Sequence, residues 1–173
     1  MLATVPWERI RTFIEYGPGT GRFTQAALAR LSADATLVAL DTSEAFTRHL
    51  RHHIDDPRLR IVTGSAEDIR DILGRHGIFK ADCILSGLPF SGISEDRAAR
   101  IMEASAEILA PDGHFLAYQM RKTIADHIIR HFGVVEEAFA WWNMPPCHLY
   151  RARKPVVRAG YSSQEDGTNR RRA

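Results

Sequence analysis

The chain has 173 residues, 45% hydrophobic and 25% charged, with a formal net charge of +2, which suits one soluble domain with a full core and is too short for two of ordinary size. A charge so near neutral selects neither for nor against nucleic acid, and two cysteines exclude a disulfide framework. No stretch reaches the roughly 20 apolar residues of a membrane span, and MLATVPWERIRTF has no apolar leader core, so a cytoplasmic protein without an integral membrane segment is expected.

Short apolar runs alternate with amphipathic stretches, the pattern of a parallel sheet with crossover helices. TFIEYG is the first predicted strand and runs into a glycine-rich turn. RFTQAALARLS follows as a helix with Phe23, Ala27, Leu28 and Leu31 on one face. TLVALD is the second strand. SEAFTRHLRHHI is the next helix, with Ser43 as N-cap and Phe46, Leu50 and Ile54 at four-residue spacing. LRIVTG and ADCILSG are the third and fourth strands, and Cys83 in the latter reads as a buried thiol. SEDRAARIMEASAEIL is a helix that turns Ile101, Ala104, Ile108 and Leu109 inward and stops at PDG. HFLAYQM is the fifth strand, and TIADHIIRHF a helix ending at Gly133. The two extended segments around NMPP leave no room for a crossover helix, so they predict an antiparallel hairpin. The expected fold is a three-layer α/β domain over residues 1–156, its mostly parallel sheet closed by that C-terminal hairpin. Residues 157–173, polar and basic, are expected to form a disordered tail.

The turn EYGPGTG, Glu15 to Gly21, sits between a strand and a helix. Gly17, Gly19 and Gly21 let the backbone approach a ligand and aim amides at it. Asp41, followed by Thr42, ends the second strand, where a carboxylate can accept both hydroxyls of a ribose. A dinucleotide fingerprint needs glycine at its sixth position, and that position is Arg22. The pattern is instead G-x-G-x-G with an acid, Glu15, two places before it. That is the S-adenosylmethionine version, in which a carboxylate suits the cationic amino-acid end. A third contact is expected from GSAED, through Ser65, Ala66 or Glu67 at the adenine.

Together IEYGPGTGRFTQAAL, LVALDTSEAF, IVTGSAED, CILSGLPFS, ILAPDGHFLAYQM and NMPPCHLYRARK resemble the bacterial phospholipid N-methyltransferases, from about Ile10 to Pro155. These are class I, Rossmann-like enzymes. The resemblance implies S-adenosyl-L-methionine as cofactor and the amine of phosphatidylethanolamine, at a membrane surface, as methyl acceptor. The same segments are similar to the ribosomal RNA adenine dimethyltransferases, whose loop reads Asn-Leu-Pro-Tyr. In that family the Asn side chain and an adjacent carbonyl receive the adenine amine, and the ring stacks on the base. The matching loop places Gly87 at the Asn and Phe90 at the ring, so a stacking ring is kept and the amide is lost. An adenine amine, with its lone pair delocalised, needs that amide for alignment; an aliphatic amine needs only to lose a proton and be positioned. The lipid amine is therefore preferred, with RNA adenine as the alternative.

Ser86, Gly87, Phe90 and Tyr118 are the candidates beside the transferred methyl, with Arg121 as a further contact for a headgroup phosphate. The phospholipid enzymes carry an amphipathic capping helix ahead of the first strand, and few residues precede Thr12 here. The cap is then absent, or supplied by a partner or a second copy of the chain in a homo-oligomer, or the chain begins late. A non-catalytic cofactor-binding module is the alternative from another class. Trp7 is expected to pack over a sheet edge. His49, His52 and His53 read as a solvated helix face with no completed metal-ligand set.

Overall fold

The computed structural model describes residues 2–121, 124–132, 135–141 and 146–155. The expected tail, and the Asn-Met-Pro of the predicted hairpin turn, lie outside them. Within the described residues seven strands form one sheet: β1 (Thr12–Tyr16), β2 (Thr36–Asp41), β3 (Leu59–Thr63), β4 (Ala81–Ser86), β5 (Leu109–Gln119), β6 (Val135–Ala140) and β7 (Cys147–Arg153). Their order is β3-β2-β1-β4-β5-β7-β6. The first five are parallel, and β7 is antiparallel to both of its neighbours, as the hairpin reading required.

Among the described residues five α-helices cover the sheet: α1 (Arg22–Leu28), α2 (Glu44–His53), α3 (Ile69–Arg75), α4 (Glu95–Ile108) and α5 (Ala125–Phe132). Strands β1 and β4 are buried on both faces, which explains their unbroken apolar runs. One core holds Ile14, Val38, Ile84 and Phe115 with α3, α4 and α5; the other holds Phe13, Leu37, Cys83 and Leu116 with α1, α2 and the N-terminal turns. Trp7 lies against Phe13 of the central strand, ring centroids 5.6 Å apart, and donates from its indole to the Leu2 carbonyl at 3.0 Å. It closes the floor of the second core, where a sheet edge was expected. Cys83 is fully buried, and desolvation drives its thiol pKa well above the ordinary range.

Three local expectations are corrected. Phe46 is 43% exposed. Helix α2 instead turns Thr47 and Leu50 inward, because Thr47 Oγ1 meets Thr63 Oγ1 of β3 at 2.7 Å. Helix α3 was not foreseen, although Ile69, Ile72 and Leu73 are its buried residues at helical spacing. Pro111-Asp112-Gly113 does not end α4 in a loop. It is drawn into β5 as a bulge between the Ala81–Leu109 and Cys83–His114 pairs, with Asp112 at φ 63°. Lys154 holds that bulge: its amide donates to the Gly113 carbonyl at 2.9 Å, and its carbonyl accepts from Asp112 at 3.1 Å.

The order β3-β2-β1-β4-β5 places the change of winding direction between β1 and β4. Ligands in open α/β sheets bind in the crevice at that point, beyond the carboxyl ends of the strands. The glycine turn after β1 and the Gly87 loop after β4 face each other there.

Candidate active site

Gly21 makes the turn from β1 into α1 possible. Its φ of 83° lies in the left-handed region, and a Cβ would fall 2.6 Å from Leu50 Cδ2 and 2.9 Å from Ile54 Cδ1. Gly21→Ala should cost about 2 kcal/mol or more through strain and overpacking against α2. Urea unfolding would check this, and a stability equal to that of the unaltered protein would refute it. Gly19 is the opposite case, with nothing within 4 Å of where a Cβ would stand. The loop is therefore tight where it meets the protein and open at its crown. Such a loop can cradle a ligand, and its shape fits the cofactor the motif implies.

Asp41 at the tip of β2 faces the cradle. Its Oδ1 accepts from the Ser43 amide at 2.8 Å and its Oδ2 lies 3.4 Å from the Gly19 amide. A carboxylate has about four lone-pair sites, so capacity for two hydroxyls remains. Thr42 beside it is exposed. Glu15 lies beneath the turn and is 1% exposed. Thr24 Oγ1 of α1 donates to its Oε2 at 2.6 Å, and burial pushes its pKa up to about 7 against the pull of that hydrogen bond. Thr24 was missed in the sequence, where it looks like one more residue of an amphipathic helix.

The third predicted contact is engaged elsewhere. Ser65 caps a short turn, accepting from the Glu67 amide at 3.3 Å, while Ala66 is buried. The Glu67 carboxylate is held by Arg97 at 2.7 Å and Arg100 at 2.9 Å, which keep its pKa below the usual carboxylate range. These pairs tie the tip of β3 to α4.

At the tip of β4, Ser86 is buried and its hydroxyl lies 3.4 Å from the Leu88 amide. The Gly87 amide donates to the Tyr16 carbonyl at 2.8 Å, and Gly17 packs against this loop, its Cβ position 3.3 Å from Leu88 Cδ2. Phe90 is buried in the core shared with α4 and α5, so its ring does not face the crevice. Gln119 of β5 was not foreseen as a site residue. Its Nε2 donates to the Leu88 carbonyl at 2.6 Å, and its Oε1 accepts from the Phe90 amide at 3.3 Å. The Leu88 carbonyl also accepts from the Phe90 amide at 2.9 Å, so both its lone pairs are used. Tyr118 reaches over Gly87 and packs on Phe23, ring centroids 4.9 Å apart. Arg121 is exposed beyond the end of β5.

A mostly parallel sheet closed by a hairpin, with a glycine cradle after its first strand and an acid at the tip of its second, defines a Rossmann-like class I methyltransferase. Residues 13–113, more than half of the chain, match the family described as Methyltransferase domain, and the chain belongs to that family. It is an S-adenosylmethionine-dependent methyltransferase. It is 29% identical over 151 residues, 86% of its length and 79% of the relative's, to the ornithine lipid N-methyltransferase of Singulisphaera acidiphila. The fold resembles that of the N-methyltransferase NodS from Bradyrhizobium japonicum WM9, with a TM-score of 0.71 at 15% identity, covering 84% of this chain and 86% of that one. The NodS complex with S-adenosyl-L-homocysteine gives a TM-score of 0.67 at 15% identity, covering 84% and 79%.

Proposed function

We propose that this enzyme N-methylates the amine of a lipid headgroup, with phosphatidylethanolamine or an amino-acid-headed lipid as acceptor. The observation that carries the reading is the loop at the tip of β4. A ring amine would need an amide at position 87 and a receptive carbonyl beside it. Gly87 has no side-chain amide, and the Leu88 carbonyl is already saturated by Gln119 and Phe90. The buried Phe90 offers no stacking face. An aliphatic headgroup amine depends on none of these. The likeness to a lipid N-methyltransferase supports the same substrate class.

S-adenosylmethionine, when bound, supplies an electrophilic sulfonium methyl. The chain's own residues bind, orient and exclude water. The open crown of the glycine turn around Gly19 and the Asp41 carboxylate would hold the cofactor in the crevice. Glu15 would place a negative charge under its cationic end. The Ser86–Leu88 loop would bring the headgroup nitrogen into line.

Among the described residues no helix is long and apolar enough to cross a membrane. Met120 and Trp141 stand exposed past the ends of β5 and β6, at the same end of the sheet as the crevice, with Arg121 next to Met120. Tryptophan and arginine suit a headgroup layer, so lipid would be met there without insertion of a span. The test is transfer of labelled methyl to liposomes holding an anionic lipid and either phosphatidylethanolamine or ornithine lipid, with RNA as the competing acceptor. Label in the lipid extract, falling as salt rises, is expected. Label in RNA adenosine with none in lipid would overturn the proposal.

A further inference from the structure

The side chain missing at position 87 has been replaced from the neighbouring strand. A Cβ on residue 87 would lie 2.8 Å from Tyr118 Cζ, closer still to the Tyr118 hydroxyl, and 3.0 Å from the Gly17 carbonyl oxygen. No residue larger than glycine fits unless the phenol moves. Phe23 backs the ring at 4.9 Å, and the Gly87 amide is pinned to the Tyr16 carbonyl at 2.8 Å. The space that a Cβ at position 87 would need is therefore taken by the phenol oxygen, at the junction of the glycine turn and the β4 loop.

We propose that Tyr118 is the specificity-determining residue of this site: its hydroxyl stands in for the side-chain amide at position 87 and accepts from an aliphatic amine, while its ring, backed by Phe23, closes the slot that a planar ring amine would need. This deepens the lipid-amine reading above and rests on it. A nucleobase amine lies in the plane of its ring and is aligned by two acceptors in that plane. An aliphatic amine turns about its carbon–nitrogen bond, so one acceptor and an aromatic wall suffice. The faces of Tyr118 and Phe23 also favour a nitrogen that carries charge or methyl groups. Burial, with the nearby Glu15 adding to it, pushes the Tyr118 pKa up to about 12. The phenol keeps its proton at neutral pH and positions the amine without taking a proton from it.

Four variants test this: Gly87→Asn, Tyr118→Ala, the double variant, and Tyr118→Phe. Urea stability and S-adenosylmethionine affinity are read on all four, since neither needs an acceptor. Gly87→Asn should lose about tenfold or more in cofactor affinity along with stability, and adding Tyr118→Ala should restore most of both. Tyr118→Phe should fold and bind cofactor normally, with kcat on amine-bearing liposomes down about tenfold and KM unchanged. A double variant as impaired as Gly87→Asn alone overturns the steric role, and a Tyr118→Phe enzyme with full kcat overturns the hydroxyl's role. An unaltered protein silent on every lipid amine would remove the proposed reaction and with it the hydroxyl's role. The stability and binding cycle would still uphold or overturn the steric one.

Discussion

Asp41→Ala is expected to weaken S-adenosylmethionine binding by about 100-fold or more, because the two hydroxyl bonds proposed for its carboxylate would be lost together. The loss has a second part. Asp41 also anchors the Ser43 amide at 2.8 Å and reaches toward the Gly19 amide at 3.4 Å, so it links the start of α2 to the crown of the glycine turn. Asp41→Asn keeps an oxygen for Ser43 and should lie between the two. Calorimetric titration with S-adenosylmethionine would decide it. An alanine variant with unchanged affinity would remove Asp41 from the site, and an asparagine variant as weak as alanine would assign the whole effect to charge.

Glu15 should make the cofactor-free protein less stable as pH rises. Its carboxyl is raised from about 4.5 to about 7, chiefly by burial. The folded state thus prefers the neutral acid. The stabilising contribution is fully present below 4.5 and is lost as pH rises through 7. A shift of that size corresponds to roughly 3 kcal/mol across the window. Glu15→Gln keeps the shape, has no charge to bury, and should flatten that part of the profile. Urea unfolding at pH 5, 6 and 7.5 compares the two, and parallel profiles would show that Glu15 is not the group responsible. The same carboxylate gives cofactor binding the opposite slope. A cationic ligand above it favours the charged form, so affinity should climb toward pH 7 and level off beyond it. In Glu15→Gln that rise should vanish.

Much of the scaffold was written locally. TLVALD is β2 from first residue to last, and Ser43 does cap α2, accepting from the Phe46 amide at 3.4 Å. Five parallel strands and a hairpin followed from period and segment length, because burial on two faces demands unbroken apolar runs and a short connection forbids a crossover. The glycine turn and Asp41 were legible for a related reason. Backbone approach and a strand-tip acid leave a mark at fixed positions in one segment. Helix α3 carries a helical period, but at seven residues it is too short to stand out without its packing partners.

The sheet, the glycine turn after β1 and the lack of a side-chain amide at position 87 can all be read from the residues alone. What fills that gap depends on how the strands come together. Tyr118 and Gln119 lie on β5, and nothing in LAYQM says that one residue will reach over Gly87 while the next saturates the Leu88 carbonyl. Phe90 and Glu67 show the converse: residue types suited to a site, taken up by a core and by two arginines. Phe90 and Glu67 lie on short 3-10 turns beyond the strands, where no period applies, while Tyr118 and Gln119 lie on β5. A strand's period tells which face a side chain takes. Which neighbour it meets depends on strand order and register, and these are set by contacts far apart in the chain.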